Sequence, residues 1–282
     1  STTTIRTISA SITTALIQFN GADNVVVEGN SGGSGRFLRF RNTNTTTGSV
    51  FQMQNDATNI TIQNCDIQGQ GTSTTASTVV AIGTATAVGN SNITINNNLI
   101  HDAGTGGYPL NLIYSNGTTA YPNNNINITN NEIYNFGSFG GASNRRAYGI
   151  NVTATGNGGN WTISGNSIYS TYIDGTGYQT CINFYPGASS NNNVINSNYI
   201  GGRAPLCGGQ PMTNNTSSDF IGIAINAGNG TGTTIQGNTI QNMLADYGDG
   251  SGVTAIDVAG STRVTITGNT IGHATLVNSL QS

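Results

Sequence analysis

Few acidic and basic side chains in this sequence could act together on a substrate. Asp102 and Asp174 could form a carboxylate pair, with Arg145 or Arg146 between them along the chain. Carboxylates about 5–9.5 Å apart support glycoside hydrolysis, and an arginine base beside a neutralised uronate would support β-elimination. Action on a polysaccharide is therefore one class of function that these residues leave open.

No segment combines two close acids with a base in a recognisable motif, so we assign no catalytic residue. His101 and His273 have no acidic or cysteine partner at ligand spacing, and the sequence predicts no metal site and no cofactor. The aromatic residues near the acids could stack on sugars, or they could cover the open edge of a core. The candidate glycan-binding residues are Tyr108, Arg145, Tyr172, Asp174, Tyr178 and Tyr247.

Composition narrows the class of protein. Only 7% of the 282 residues are charged, lysine is absent, and the formal net charge is −3. Such a charge-poor acidic chain is unsuited to bind nucleic acid, and it lacks an apolar run near 18 residues that could span a membrane. High Thr and Asn content with three cysteines favours a secreted or cell-surface bacterial protein.

One short pattern recurs along the whole chain and determines the predicted architecture. Its clearest copy, residues 93–100, reads Ile-Thr-Ile-Asn-Asn-Asn-Leu-Ile, and successive copies are 31 to 40 residues apart. The central residues of the copies are Val27, Ile62, Ile95, Ile128, Ile163, Ile195, Ile235 and Ile266. The residues three places further on are Asn30, Cys65, Asn98, Asn131, Asn166, Asn198, Asn238 and Asn269. A repeat of this length predicts a solenoid that occupies residues 1–282 as one domain.

The pattern and the apolar segments between its copies alternate with a period of two, which predicts β-strands. Isoleucine outnumbers leucine by 30 to 9, and no window favours a helix. A leucine-rich repeat also places an Asn in such a strand, but it is shorter, prefers leucine and usually carries a helix. A right-handed parallel β-helix of about eight rungs fits better, with side chains of successive rungs stacked roughly 4.8 Å apart.

The asparagines of the pattern are predicted to form a ladder of amide hydrogen bonds at a tight corner of the solenoid. The predicted ladder residues are Asn98, Asn131, Asn166, Asn198, Asn238 and Asn269. Cys65 interrupts the series, because a thiol is a poor hydrogen-bonding partner.

The pattern Asn-x-Thr-Ile-x-x-Asn-x-Ile resembles the right-handed β-helix repeats shared by pectate-lyase-like enzymes, phage tailspikes and large bacterial surface proteins. Residues 6–25 and 35–40 are similar to the β-helix regions of very large secreted bacterial surface proteins. The resemblance covers essentially the whole chain and implies the fold. It implies no single activity, because this superfamily contains lyases, hydrolases, adhesins and fibres.

The extra length in each repeat is predicted to form loops that leave the same corner of successive rungs and stack along one edge. These loops are 101–109, 134–147, 169–179, 201–219 and 241–253. They contain the candidate glycan-binding residues, so the loop edge is the predicted polysaccharide site.

The three cysteines allow one disulfide. Cys181 begins an apolar strand, and Cys207 lies in the loop of the next rung along the same edge. This placement predicts a bond between Cys181 and Cys207, with free buried thiols as the alternative. Cys65 is expected to be unpaired.

Two further surfaces follow from the predicted solenoid. The outward positions of the repeated strand carry many threonines, including Thr61, Thr94 and Thr162, so an ice-binding face is a minor alternative.

No amphipathic capping helix follows the last repeat, and low charge removes the usual deterrent to association of bare sheet edges. The expected partners are therefore a second copy stacked end to end, neighbouring domains of a longer chain, or glycans.

The sequence thus predicts a secreted structural or adhesive β-helix protein, with head-to-tail assembly into an extracellular filament. The alternative is a protein that binds or degrades polysaccharide at the loop edge. Low charge and the absence of a catalytic motif favour the structural or adhesive interpretation.

Overall fold

The structure of the protein, a computed structural model, is an all-β parallel solenoid. It describes residues 4–71, 78–104, 108–137, 146–172, 177–187, 190–214, 219–228, 230–245, 252–260, 263–273 and 280–281. These residues form 28 strands, joined by turns and loops. Across the described ranges, no helix is long and apolar enough to cross a membrane.

Three parallel sheets run along the solenoid, and each rung adds one strand to each sheet. With strands numbered along the chain, sheet A contains β1 (Arg6–Ala10), β4 (Leu38–Asn42), β7 (Cys65–Gly69), β10 (Leu99–Asp102), β13 (Glu132–Tyr134), β16 (Ser167–Tyr169), β19 (Tyr199–Ile200), β23 (Thr239–Ile240) and β27 (Thr270–Ile271). Sheet B contains β2 (Ile17–Asn20), β5 (Phe51–Gln54), β8 (Thr78–Ile82), β11 (Asn111–Ser115), β14 (Arg146–Val152), β17 (Tyr178–Phe184), β21 (Phe220–Ile225) and β25 (Val253–Val258). Sheet C contains β3 (Asp23–Glu28), β6 (Thr58–Gln63), β9 (Ser91–Asn96), β12 (Asn124–Thr129), β15 (Trp161–Ser164), β18 (Val194–Asn196), β22 (Thr234–Gln236) and β26 (Thr265–Thr267).

The predicted parallel β-helix is confirmed, and its repeated pattern forms sheet C. Each central residue of the pattern pairs with the central residue of the next rung, as Ile95 does with Ile128. One feature differs from the prediction, because each rung has three strands where the alternation indicated two. The short apolar segment after each ladder asparagine, such as Leu99–Asp102, is a strand of its own in sheet A.

The core is a column of β-branched and aromatic side chains enclosed by the three sheets. Ile95, Ile128, Ile163 and Ile235 are fully buried, as the alternation predicts. Burial of each such side chain contributes about 1.5–3 kcal/mol, so the stacked isoleucines are a major part of the hydrophobic contribution to folding.

The asparagine ladder forms at the corner between sheets C and A. Asn131 shows its geometry: Nδ2 donates to Oδ1 of Asn166 at 3.0 Å and to the carbonyl oxygen of Ile95 at 2.9 Å. Oδ1 of Asn131 accepts from the backbone N–H of Asn98 at 2.9 Å and from Nδ2 of Asn98 at 3.1 Å. The side chain therefore uses its full hydrogen-bonding capacity while buried.

The same contacts repeat from rung to rung through all six predicted ladder residues. Successive Nδ2–Oδ1 distances from Asn166 to Asn269 are each 2.9 Å. At the other end, the backbone N–H of Cys65 donates to Oδ1 of Asn98 at 2.9 Å. The Cys65 thiol instead donates to the backbone carbonyl oxygen of Gln63, two residues earlier. Cys65 thus ends the side-chain ladder, as predicted.

A left-handed backbone residue precedes each ladder position and makes the corner possible. The φ angles there lie between 54° and 68° in residues Asn64, Asn97, Asn130, Gly165, Ser197, Gly237 and Gly268. Only glycine and, less readily, Asn or Asp adopt this conformation without much strain. This explains why Asn or Gly stands immediately before the ladder residue in nearly every copy.

A second, shorter polar corner lies before sheet C and was not predicted. Nδ2 of Asn90 donates to Oδ1 of Asn123 at 2.9 Å, and both side chains are fully buried. Further along, Nδ2 of Asn193 donates to the hydroxyl of Thr233 at 3.1 Å. The residues of the first ladder always stand three places after the central residue of the pattern. The residues of this second corner stand at varying distances before it, so the sequence does not reveal them.

The segments between sheets A and B stack along one edge, as predicted, most clearly at the last rungs. There β20 (Met212–Asn214), β24 (Met243–Ala245) and β28 (Leu280–Gln281) pair in parallel as a small fourth sheet. The predicted loop bounds begin too early, because His101, Tyr134 and Tyr169 belong to sheet A strands.

The predicted disulfide between Cys181 and Cys207 is wrong, because all three cysteines are free and buried. Cys181 lies within β17 of sheet B. Cys207 is held against sheet A, where its Sγ lies 3.4 Å from the carbonyl oxygen of Ile200 and 3.6 Å from that of Thr239. Burial raises the pKa of Cys207 to about 11 and that of Cys65 to about 12.

We predict that Asn131→Ala lowers the free energy of unfolding by about 1–3 kcal/mol, because it removes four buried hydrogen bonds, including the one that satisfies the backbone N–H of Asn98. Urea denaturation measures the loss. Asn127→Ala, an outward-facing position of β12 in the same rung, is the matched control and should change stability by less than about 0.5 kcal/mol. Equal losses in both variants would contradict a special role of the ladder.

We also predict that the native protein resists a thiol reagent at pH 8, because burial keeps its thiols protonated and inaccessible. After unfolding without reductant, three thiols per chain should react. Intact-mass analysis after alkylation counts the reactive thiols. A single reactive thiol per chain would show that the other two form a disulfide.

Candidate functional site

Charged side chains gather on and beside the outer face of sheet A. Of the 19 charged residues in the chain (8 basic and 11 acidic), five lie there with one histidine, in two adjacent groups of ion pairs. We call this set the charged cluster: Arg36, Arg39, Asp66, His101, Asp102 and Glu132. Such a concentration in a charge-poor protein marks this face as the first candidate site.

His101 lies at the centre of the charged cluster, between two carboxylates. Its Nε2 is 3.1 Å from Oδ1 of Asp66, and its Nδ1 is 3.8 Å from Oδ1 of Asp102. The three side chains are 14%, 5% and 4% exposed, respectively. Asp66 comes from β7 and the other two from β10, so two adjacent rungs build this contact.

The protonation states follow from these contacts. Burial disfavours the imidazolium, but the contacts with Asp102 and Asp66 outweigh it and raise the pKa of His101. Burial also disfavours both carboxylates, yet hydrogen bonds outweigh it and lower the pKa of Asp66 and of Asp102. For Asp66 these bonds include one from Nε of Arg39 at 2.7 Å.

Glycoside hydrolysis needs a protonated carboxylic acid, whose pKa is raised. Asp66 and Asp102 have the opposite shift, so the charged cluster is suited to hold charge and not to donate a proton from a carboxyl group. The sequence analysis considered His101 only for partners at metal-ligand spacing, so it did not anticipate these two carboxylate contacts. Asp102 is its immediate neighbour and Asp66 lies 35 residues earlier, a separation that only the rung spacing brings together.

A column of rings continues from the charged cluster. His101 stacks on Tyr134 with centroids 4.4 Å apart, and Tyr134 stacks on Tyr169 at 4.9 Å. The Tyr169 hydroxyl donates to Oε2 of Glu132 at 3.2 Å. The column places three rings on consecutive rungs of sheet A.

The structure brings together two of the predicted glycan-binding residues. The rings of Tyr108 and Tyr172 meet edge to face, 4.3 Å apart, at the loop edge. Tyr178 lies apart from them in β17, where the guanidinium of Arg146 sits 5.0 Å from its ring centroid. The predicted residues Arg145, Asp174 and Tyr247 lie outside the described residues, as does the proposed pairing of Asp102 with Asp174.

The outer face of sheet B forms a second candidate site, which the sequence analysis missed. Two shallow cavities of about 380 and 330 Å³ lie on this face, and a third of about 350 Å³ lies at the turns that follow β17 and β21; we call them together the sheet B groove. Side chains that line it include Gln52, Asn111, Tyr114, Arg146, Tyr148, Asn151, Asn183 and Tyr185. Outward polar residues in the sheet B strands were the signal that could have revealed it.

A row of amides runs through the middle of the sheet B groove. Nδ2 of Asn183 donates to Oδ1 of Asn151 at 2.8 Å, and Nδ2 of Asn151 donates to Oδ1 of Asn111 at 2.8 Å. These bonds orient the amides of three rungs in one direction. The rings of Tyr114 and Tyr148 are partly buried beside the row, and burial raises the pKa of both phenols.

The outward face of sheet C has the predicted threonine column. Thr61 pairs in register with Thr94, and Thr94 with Asn127. Asn127 and Val194 interrupt the column, and an ice-binding role stays a prediction.

No family model matches the sequence, and no curated protein matches it. One similar solved structure is that of the Streptococcus pneumoniae surface protein and adhesin PfbA, with 14% identity and a TM-score of 0.45, covering 86% of this chain and 67% of that one. Another is the Dettilon tailspike protein, with 14% identity and a TM-score of 0.35, covering 95% of this chain and 61% of that one. The chain thus spans less than two thirds of the tailspike, and the likeness concerns the fold.

Proposed function

We propose that this protein is an extracellular adhesive β-helix that binds polysaccharide along the sheet B groove. The observation that carries the proposal is the amide row of Asn111, Asn151 and Asn183, flanked by partly buried tyrosines. Ligand sites combine apolar walls with a few oriented polar groups, and this groove has both.

The amide row suits sugar hydroxyl groups. An amide offers both donors and acceptors, and a hydroxyl needs both. The Oδ1 atom and the second amide hydrogen of Asn183 take no part in the row. Because the row crosses consecutive rungs, a bound chain would run along the solenoid and meet a similar set of groups at each rung.

The tyrosines supply the apolar part of the site. Tyr148 and Tyr185 flank the middle cavity, beside Arg146. Tyrosine rings present a flat apolar face with a polar tip, which is suited to a ligand that is apolar on one face and hydroxylated at its rim. The groove therefore favours binding by contact area and hydrogen bonds over binding by charge.

Adhesion is favoured over degradation by the protonation states of the charged cluster, since neither of its aspartates has the raised pKa of a general acid. The charge-poor composition favours an extracellular location.

We expect the protein to bind at least one member of a panel of bacterial and plant polysaccharides in affinity electrophoresis, without releasing reducing ends. Tyr148→Ala should weaken that binding about tenfold, equivalent to about 1.4 kcal/mol, and Tyr148→Phe should retain most of it. Thr94→Ala, on sheet C, is the control and should bind normally. Unchanged binding by Tyr148→Ala, or binding to no glycan, would contradict the proposal.

End-to-end association of copies is a second proposal, favoured by the exposed apolar residues at both ends of the solenoid. Ile8 is 44% exposed in the first rung, although its partner in the next rung, Phe40, is buried, and Ile266 and Ile271 are 44% and 53% exposed in the last. In inner rungs the positions equivalent to Ile266 and Ile271, namely Ile235 and Ile240, are fully buried. A second copy stacked on either end would cover them.

We expect filaments in negative-stain electron micrographs of concentrated protein, and Ile266→Asp should abolish them by placing a charge in the joint. Thr94→Asp, at a lateral position, is the matched control. A monodisperse monomer at high concentration, or a native chain that continues as folded rungs on both sides, would contradict the proposal.

A further inference from the structure

Three loops between sheets A and B are tied to one buried carboxylate. Oδ2 of Asp102 accepts from the backbone N–H of Gly104 at 2.9 Å and from the Tyr172 hydroxyl at 3.0 Å. Its Oδ1 accepts from Nδ2 of Asn135 at 2.8 Å. Gly104, Asn135 and Tyr172 follow β10, β13 and β16, so one side chain connects the loops of three consecutive rungs.

Asn135 and Tyr172 also make contacts between loops of different rungs. Oδ1 of Asn135 accepts from the backbone N–H of Thr171 at 2.9 Å and from its hydroxyl at 3.0 Å. The Tyr172 ring packs on Tyr108, 4.3 Å away. We call Asp102 with Gly104, Asn135 and Tyr172 the loop clamp.

Within the described residues, His101 is the one cationic group that contacts Asp102. Arg39 is engaged with Asp66 at 2.7 Å, and Arg36 with Glu132 at 3.1 Å. The groups facing His101 are Asp66 and Gln68 from β7, Asp102 from β10 itself and Tyr134 from β13. When the imidazole is neutral, two nearly buried carboxylates face it, and Asp102 retains only neutral donors.

We propose that His101 and Asp102 form a protonation-controlled clamp, in which the imidazolium holds the Asp102 carboxylate in place and loss of its proton loosens the three loops. The device is separate from polysaccharide binding in the sheet B groove. It acts on the loop edge, where Tyr108 and Tyr172 lie.

The direction of the pH dependence follows from the contacts. The pKa of His101 is raised above 6.5, so its contribution to stability is complete below pH 6.5 and is lost as the pH rises through the raised value. The pKa values of Asp66 and Asp102 are lowered below 3.8, so their contribution is present above that pH and is lost as the pH falls through the lowered values. The clamp is therefore closed at mildly acidic pH and opens on the alkaline side.

Nuclear magnetic resonance of the intact protein tests this directly, because the chain contains two histidines and the His273→Gln variant assigns the His101 ring signals. We expect the His101 ring to titrate above pH 6.5. Hydrogen-exchange protection of the Gly104 and Thr171 amides, corrected for intrinsic rates, should fall at least tenfold as the ring loses its proton. Protection of the Asn131 amide, in the asparagine ladder, should stay constant over the same range.

Variants separate the clamp from general stability. Asp102→Asn keeps the shape but removes the charge, and it should lower the His101 pKa toward its ordinary value and abolish the pH dependence of loop protection. His101→Gln should abolish it as well, whereas His273→Gln should not. Fluorescence of the single, buried Trp161 reports whether each variant is folded. Wild-type loop protection that is constant across the His101 titration, or a His101 ring that titrates below pH 6.5, would overturn the proposal.

Discussion

The solenoid depends on one constraint: at every rung the chain must turn a corner whose polar groups are buried. An unpaired amide in that position costs about 1–3 kcal/mol, and eight rungs would multiply the cost. The asparagine ladder removes it by letting each side chain bond the rung before and the rung after. The left-handed residue that precedes it supplies the backbone geometry, and together they fix the height of one rung above another.

Because the corner fixes the register, residues at equivalent positions form columns on the outside as well as in the core. The three outer faces consequently differ in character. Sheet A carries charge and stacked rings, sheet B carries amides and partly buried tyrosines, and sheet C carries threonines and exposed asparagines. A small number of substitutions, repeated at the period of the solenoid, is sufficient to give each face its own chemistry.

The sequence revealed the fold because its signals are local and periodic. Alternation within residues 93–100 and the return of the same pattern every 31 to 40 residues were sufficient to predict the ladder and the buried isoleucines. The candidate sites were harder to predict, since His101 meets Asp66 only after the chain has completed one full turn of the solenoid. The disulfide prediction failed for a similar reason. That two cysteines lie along the same edge of the solenoid does not reveal that the Cys207 side chain turns toward sheet A.

Sheet A has nine strands, whereas sheets B and C have eight each. The two ends of the molecule are therefore out of phase by one strand. If a second copy continued sheets B and C without a gap, its β1 would need the place that β27 of the first copy already occupies. One of the two must yield, and β27 has only two residues whereas β1 has five. Growth of such a polymer would thus require β1 of each incoming molecule to displace the short β27 of the one before it.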